Sequence, residues 1–335
     1  MKYQILQGDN RDTLKTLADN SIDAIVTDPP YGIDFLGKSW DANTGALETY
    51  QECLRVLKPG GHILAFSAAR TYHYLAVTLE QAGFEIRDQI MWIYSSGFAK
   101  SQDIGKQLDK KEIANDWAGW GSALKPAHEP IALARKPMKG SIKDNCLKWG
   151  TGAINIDATR IPYADQKDIE TYLNNKRGPM ERGNDENGKN IRMFNGETGF
   201  KAVKREVTVE EDLPELGRFP SNVVGEIEEE YQKYFYCPKV SRRERHTGFE
   251  DPDTQGNNHP TVKPVELMKY LIKLVTPPGG VVLDPFNGSG STGCAAVELG
   301  FEYIGCELDP AYVEITNKRI DAWNKTDNNF KELFE

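Results

Sequence analysis

The chain has 335 residues, enough for two domains or for one large domain carrying an insertion, and enough for a substantial core. Its composition, 39% hydrophobic and 27% charged with a mean hydropathy of -0.57, is that of an ordinary folded protein, and the lack of any apolar run near about 18 residues excludes a helical membrane span. A formal charge of -9 excludes a uniformly basic nucleic-acid coat, yet residues 136–205 carry 14 Lys+Arg against 9 Asp+Glu, a basic segment in an acidic frame.

The first residues, MKYQILQGDN, have neither a charged start nor a long apolar stretch, so a cytoplasmic location is expected. Tyr3 to Leu6, Ala24 to Val26, Ile63 to Phe66 and Ile86 to Ile93 read as strands. Between them Leu47, Tyr50, Leu54 and Leu57 recur at helical steps and stop at Pro59-Gly60-Gly61, while Tyr72, Leu75, Ala76 and Leu79 do the same up to Gly83. Pro130 to Ala134 reads as a further strand, flanked by Trp117, Trp120 and Trp149, which read as core or else as stacking residues near a nucleic acid. Between Asn174 and Gly199, Gly and Asn fill 11 of 26 positions, and a long mobile loop is expected there.

Pro264 opens a helix with Met268, Leu271, Ile272 and Val275 inward, ended by Pro277-Pro278-Gly279-Gly280. Val281 to Leu283 and Tyr303 to Cys306 are strands around one more helix, and Asp309 and Pro310 open the last one. This β-α-β rhythm predicts an α/β fold, a Rossmann-like seven-stranded mixed sheet with helices on both faces. The cysteines, Cys53, Cys146, Cys237, Cys294 and Cys306, lie far apart with no C-x-x-C pair, which argues against a disulfide framework and a zinc knuckle.

Two segments carry chemistry. In VVLDPFNGSGSTG, residues 281–293, Gly288, Gly290 and Gly293 form a G-x-G-x-x-G turn between strand and helix, where the backbone can approach a ligand closely. Glu307 ends the next strand, where a carboxylate can bind ribose hydroxyls, so a nucleoside-type cofactor is expected, with NAD and S-adenosylmethionine both open. Only 42 residues follow Gly293, so the N-terminal third must complete the sheet, and the cofactor half follows the chemistry half in a permuted order.

The second segment is Asp28-Pro29-Pro30-Tyr31, at the end of a short apolar strand. Two prolines fix φ and remove two N–H donors, leaving carbonyl acceptors beside a carboxylate and an aromatic ring. Such a site suits the exocyclic amino group of a base: its N–H groups bond to the Asp28 carboxylate and the Pro29 carbonyl while Tyr31 stacks on the ring. The nitrogen lone pair is then free to attack a methyl carbon.

TDPPYG at 27–32, NHPTVKP at 258–264 and DPFNGSGS at 284–291, in that order, resemble the motifs of the β-class amino-methyltransferases of DNA. The resemblance covers residues 1–135 and 236–323 as a catalytic domain. It implies a target-recognition region inserted at 136–235, with 324–335 as a tail. It further implies that Asp28, Pro29, Pro30 and Tyr31 hold and activate the base. Phe286, Gly288, Ser289 and Gly290 would pack around S-adenosylmethionine and Glu307 would hold its ribose. Thr261 and Lys263 would meet the methionine carboxylate, Asp9 would face the adenine side and Asp284 the amino group. The reaction needs no metal, and His259 is expected to be structural.

The target must leave the duplex to react, so double-stranded DNA is the implied partner. Lys136, Lys139, Lys143, Lys148 and Arg160, with Arg242, Arg243 and Arg245, are the expected phosphate contacts. A homodimer and a cognate restriction endonuclease are partners that the resemblance allows. The leading Asp favours N6 of adenine; N4 of cytosine, an RNA target, a nicotinamide oxidoreductase and a catalytically silent DNA-binding module are the competing readings.

Overall fold

A computed structural model describes residues 3–33, 44–94, 101–113, 116–175, 217–225, 242–249, 256–259 and 261–331. Its strands are β1 (Tyr3–Gln7), β2 (Ile22–Thr27), β3 (Leu57–Phe66), β4 (Glu85–Ile93), β5 (His128–Arg135), β6 (Val223–Gly225), β7 (Val281–Asp284) and β8 (Glu302–Glu307). They form one sheet in the order β1-β8-β7-β2-β3-β5-β4-β6. The late strands β7 and β8 are seated between β1 and β2, so the N-terminal strands complete the sheet as the permuted order requires. Every described pairing is parallel except those of β5, which runs against both β3 and β4. The C-terminal ends of the other strands therefore share one end of the sheet with the N-terminal end of β5.

Alternation along the strands builds a core on each face. Ala24, Val26, Leu64 and Phe66 face the helices Val265–Val275 and Ser291–Glu298, whose Leu267, Leu271, Ile272, Ala295 and Ala296 are buried. Ile25, Ile63 and Ala65 face the other way, onto Tyr50, Cys53 and Val56 of helix Leu47–Val56 and Leu75 and Leu79 of helix Tyr72–Ala82. Each fully buried aliphatic side chain contributes about 1.5–3 kcal/mol, so these two layers hold the sheet rigid beneath its loops.

The seven expected strands all form, and β6 adds an eighth at the β4 edge. Pro59-Gly60-Gly61 does not end a helix. Helix Leu47–Val56 runs directly into β3, where Leu57 pairs with Ile22 and His62 with Ala24, so the residues between bulge from the strand. Gly60 turns there with φ +79, and a Cβ would lie 2.4 Å from Asn145 Nδ2.

The chain divides into two compact units, Met1–Thr159 with Pro220–Glu335, and Arg160–Phe219. Residues 136–159 pack within the larger unit: Asn145 Nδ2 and Thr151 Oγ1 both donate to the Pro59 carbonyl, at 2.8 and 2.6 Å. Within the smaller unit Ile161 bridges Arg218, Arg160 donates to the Gly217 carbonyl at 3.2 Å, and Arg218 pairs with Asp168. Helix Pro310–Lys331 continues past residue 323, so much of the expected tail is helical. No helix among the described residues is long and apolar enough to cross a membrane. Most of the expected 174–199 loop lies outside the described residues.

Candidate active site

The site lies at the end of the sheet where β1, β2, β7 and β8 finish and β5 begins. Thr27, the last residue of β2, donates through Oγ1 to Asp284 Oδ1 at 2.7 Å and so ties β2 to the end of β7. Asp284 is buried, and it also accepts from the Phe286 backbone N–H at 3.0 Å and from Thr292 Oγ1 at 2.7 Å. Burial raises its carboxyl to about 6, against the pull of those three donors. Asp284 thus locks the strand that carries Asp28 to the glycine-rich turn. Its position at the end of β7, beside the turn, is where the resemblance places a partner for the cofactor amino group.

Asp28 follows Thr27 directly and is partly buried, with Pro29 buried behind it. Its Oδ2 accepts from Lys263 Nζ at 2.6 Å and its Oδ1 lies 2.8 Å from the Tyr31 hydroxyl. Lys263 is 6% exposed and its Nζ also stands 3.0 Å from Tyr31 Oη and 3.4 Å from Glu129 Oε2. It lies over the rings of Tyr31 and Phe66, at 5.4 and 5.0 Å. Burial acts to discharge the ammonium, but Asp28 and Glu129 outweigh it and the Lys263 pKa is raised. Lys263 is thus a buried cation between two carboxylates, at the position that the resemblance assigns to the methionine carboxylate. Burial, then Asp28 and Glu129, keep the Tyr31 hydroxyl well above the ordinary phenol range.

The glycine-rich turn is built against Glu307. The Gly288 N–H donates to Glu307 Oε2 at 2.7 Å and the Asp309 N–H to Oε1 at 2.9 Å. Burial raises Glu307 to about 7, partly offset by these amides. Gly288 has φ +53, and a Cβ on it would lie 2.9 Å from His259 Nε2. A Cβ on Gly293 would strike Ile320 and Tyr303. Arg319 holds the Ser289 carbonyl and hydroxyl from beneath. Phe286 packs 6.3 Å from the Tyr50 ring.

His259 is pushed down to about 4 by burial, and its Nδ1 lies 3.1 Å from the Thr261 carbonyl and 3.3 Å from the Thr261 N–H, a neutral ring that shapes the HPTVKP turn. Asp9 caps the short helix Asn10–Thr13 and is paired with Arg11. Asn10 donates to the Pro285 carbonyl and accepts from Thr49, linking the β1 and β7 loops. Glu129, Asn10 and Arg319 belong to no motif; the only sequence signal for Glu129 is a carboxylate at the mouth of the apolar run Pro130 to Ala134.

The residues expected at phosphates lie in several parts of the structure. Because β5 is antiparallel, its C-terminus reaches the end of the sheet opposite Asp28. There Lys136 Nζ donates to Asn20 Oδ1 at 2.8 Å and to the Leu57 carbonyl at 2.7 Å, as a structural clasp. Lys139 and, on helix Ile142–Trp149, Lys143 and Lys148 follow on that same far end, since Asn145 anchors the helix to Pro59 at the start of β3. Arg245 donates to the His259 carbonyl at 3.0 Å, so it also serves the fold. The side chains of Arg242 and Arg243 lie outside the described residues. Trp117 and Trp120 are not core: they are 48% and 60% exposed and meet edge to face at 5.1 Å.

An α/β sheet with an Asp-Pro-Pro-Tyr segment and a glycine-rich turn at the same end is the architecture of the amino-methyltransferases. The DNA methylase family matches over residues 22–318, and the chain belongs to that N6/N4 amino-methyltransferase family. It is 26% identical over 365 residues to the Type II methyltransferase M.HindIII of Haemophilus influenzae, with 94% of each chain covered. It is 25% identical over 333 residues to the DNA adenine methyltransferase YhdJ of Escherichia coli, covering 95% of this chain and 82% of that protein. The fold is that of the PvuII DNA methyltransferase (cytosine-N4-specific), at a TM-score of 0.50, 15% identity and 98% and 93% coverage.

Proposed function

We propose that the chain methylates the N6 amino group of adenine in double-stranded DNA, using S-adenosylmethionine, on a base rotated out of the helix into the Asp28 pocket. The observation that carries this reading is Asp28 itself. It is a partly buried carboxylate at the end of β2, beside prolines that offer carbonyls and no N–H, and tied through Thr27 and Asp284 to the glycine-rich turn. An amino group brings two N–H donors, and this site supplies acceptors. The printed name of the adenine methyltransferase from E. coli supports adenine as the target.

The residues present fit the cofactor. Gly288 and Gly290, both at positive φ, leave bare backbone at the turn, and the Glu307 carboxylate stands beside it for a ribose diol. Phe286, Ser289 and Thr261 border the same turn, and Asp9 ends the neighbouring loop. When bound, S-adenosylmethionine supplies an electrophilic methyl group. Asp28 orients the target nitrogen by accepting its N–H, the Pro29 carbonyl accepts the other, and Tyr31 stacks on the base. Rotating the base out costs a few kcal/mol, which phosphate contacts must offset. Arg70 and the segment holding Lys106, Lys110 and Lys111 lie at the catalytic end of the sheet and suit that task better than the lysines of 136–148. Relatives named Type II methyltransferases support a companion restriction endonuclease.

The test is to incubate the protein with unmethylated plasmid and methyl-labelled S-adenosylmethionine, then analyse nucleosides by mass spectrometry. Label in N6-methyladenine is the expected result. Label in N4-methylcytosine would overturn the base, and unlabelled DNA the whole reading.

A further inference from the structure

Glu129 belongs to none of the motifs, yet its carboxylate faces the same two side chains as Asp28. The Tyr31 hydroxyl lies 2.8 Å from Asp28 Oδ1 and 2.9 Å from Glu129 Oε2. Lys263 Nζ reaches Asp28, Tyr31 and Glu129 at 2.6, 3.0 and 3.4 Å. A hydroxyl has one hydrogen and an ammonium three. With both carboxylates ionised, these four side chains have four hydrogens for five contacts. Tyr31 can donate to only one carboxylate at a time, so the cluster is built to take up one more proton.

Methylation of an amino group releases one proton. We propose that Glu129 is the final acceptor of that proton, reached from Asp28 through Tyr31; the inference rests on the amino-methyltransferase reading above. The target nitrogen bonds to the methyl carbon with its lone pair as the carbon–sulfur bond breaks, the electron pair of that bond staying on sulfur. The nitrogen is left with a positive charge and one surplus proton. That proton passes to Asp28 Oδ1. It then moves to Tyr31 Oη as the Tyr31 hydroxyl proton passes to Glu129 Oε2. The end state has Asp28 ionised, Tyr31 donating to it, and a Glu129 carboxyl donating to Tyr31, which matches five hydrogens to five contacts. Tyr31 is never a phenolate, a form that its burial between two carboxylates disfavours. Glu129 Oε1 faces Tyr94 Oη at 3.5 Å and the side chain is 18% exposed, which lets the proton leave to solvent.

Glu129 acts through Tyr31 and is a positioning residue, so its test must read more than rate. Glu129→Gln keeps the shape, but its amide N–H permanently supplies the fifth hydrogen. Single-turnover methyl transfer should fall roughly hundredfold, with cofactor and DNA Kd unchanged and the acid limb of the pH–rate profile flattened. Glu129→Asp should recover part of the rate and of the acid limb. An unchanged rate and pH profile in Glu129→Gln would overturn the route. So would a rate lost only in step with both Kd values and Tm. A wild type that labels no amino nitrogen overturns the functional reading and the route with it, whereas an active wild type beside an unaffected Glu129→Gln overturns the route alone.

Discussion

Lys263 Nζ lies 2.6 Å from Asp28 Oδ2, although 235 residues separate the two along the chain. The bond joins the Asp-Pro-Pro-Tyr segment to the HPTVKP segment, so the proposed catalytic carboxylate is held in an ion pair by the other end of the sequence. Both side chains are largely withdrawn from water, Lys263 at 7% and Asp28 at 17% exposure, and the pair is little screened.

Lys263→Met should therefore leave Asp28 and Glu129 facing each other without a cation. Removing one partner of a buried pair costs about 3–5 kcal/mol, and urea unfolding of the variant should show a loss of that order. Adding Glu129→Gln should recover part of it, because one of the stranded carboxylates is gone. No loss in the single variant would mean that the pair is not buried in solution.

Asp28→Ala and Gly288→Val should fail in different ways. The alanine variant should bind S-adenosylmethionine nearly as the wild type does and transfer no methyl group. The valine variant places a β-branched side chain at φ +53, where even a Cβ meets His259 at 2.9 Å, and should lose cofactor binding. Calorimetric titration of both separates the roles, and equal loss in the two would contradict the division between Asp28 and the turn.

Glu307 supplies a pH dependence with a definite sign. Its carboxyl is raised to about 7, so below that pH it is largely protonated and donates a hydrogen where two ribose hydroxyls need acceptors. Cofactor affinity of the wild type should increase as pH rises through about 7, with proton release on binding, and Glu307→Gln should bind weakly without that dependence. Titration calorimetry in buffers of different ionisation enthalpy measures both effects.

Charge reversal at Lys143 and Lys148 should leave DNA affinity and its salt slope unchanged, because both lie on a helix anchored at the far end of the sheet. Reversal at Lys110 and Lys111 should reduce the slope, by about 0.9 for each lost phosphate contact. Fluorescence anisotropy over a range of salt reads this directly.

Much of the architecture is legible in the residues. The apolar runs around Ile25, Ile63, Ile131 and Val282 mark strands because each is buried on both faces, and the late position of Gly288 requires the permuted order that the sheet displays. What was hidden is what depends on partners. Val223–Gly225 is too short to show a period, and becomes a strand only through its pairing with β4. Pro59-Gly60-Gly61 has the chemistry of a turn, but pairing of the flanking residues with β2 makes it a bulge. A strand pattern also reads alike in both directions, so the antiparallel course of β5 could not be seen. That course carries Lys136 away from the site and brings Glu129 into it.

The central claim is that the Asp28 cluster methylates an amino nitrogen of DNA. It is tested most directly by comparing wild type and Asp28→Asn in a single turnover with labelled S-adenosylmethionine and unmethylated DNA, with cofactor binding measured on the same samples. The account predicts N6-methyladenine from the wild type and no labelled base from Asp28→Asn, with cofactor bound by both. Labelled DNA from Asp28→Asn at the wild-type rate would contradict it.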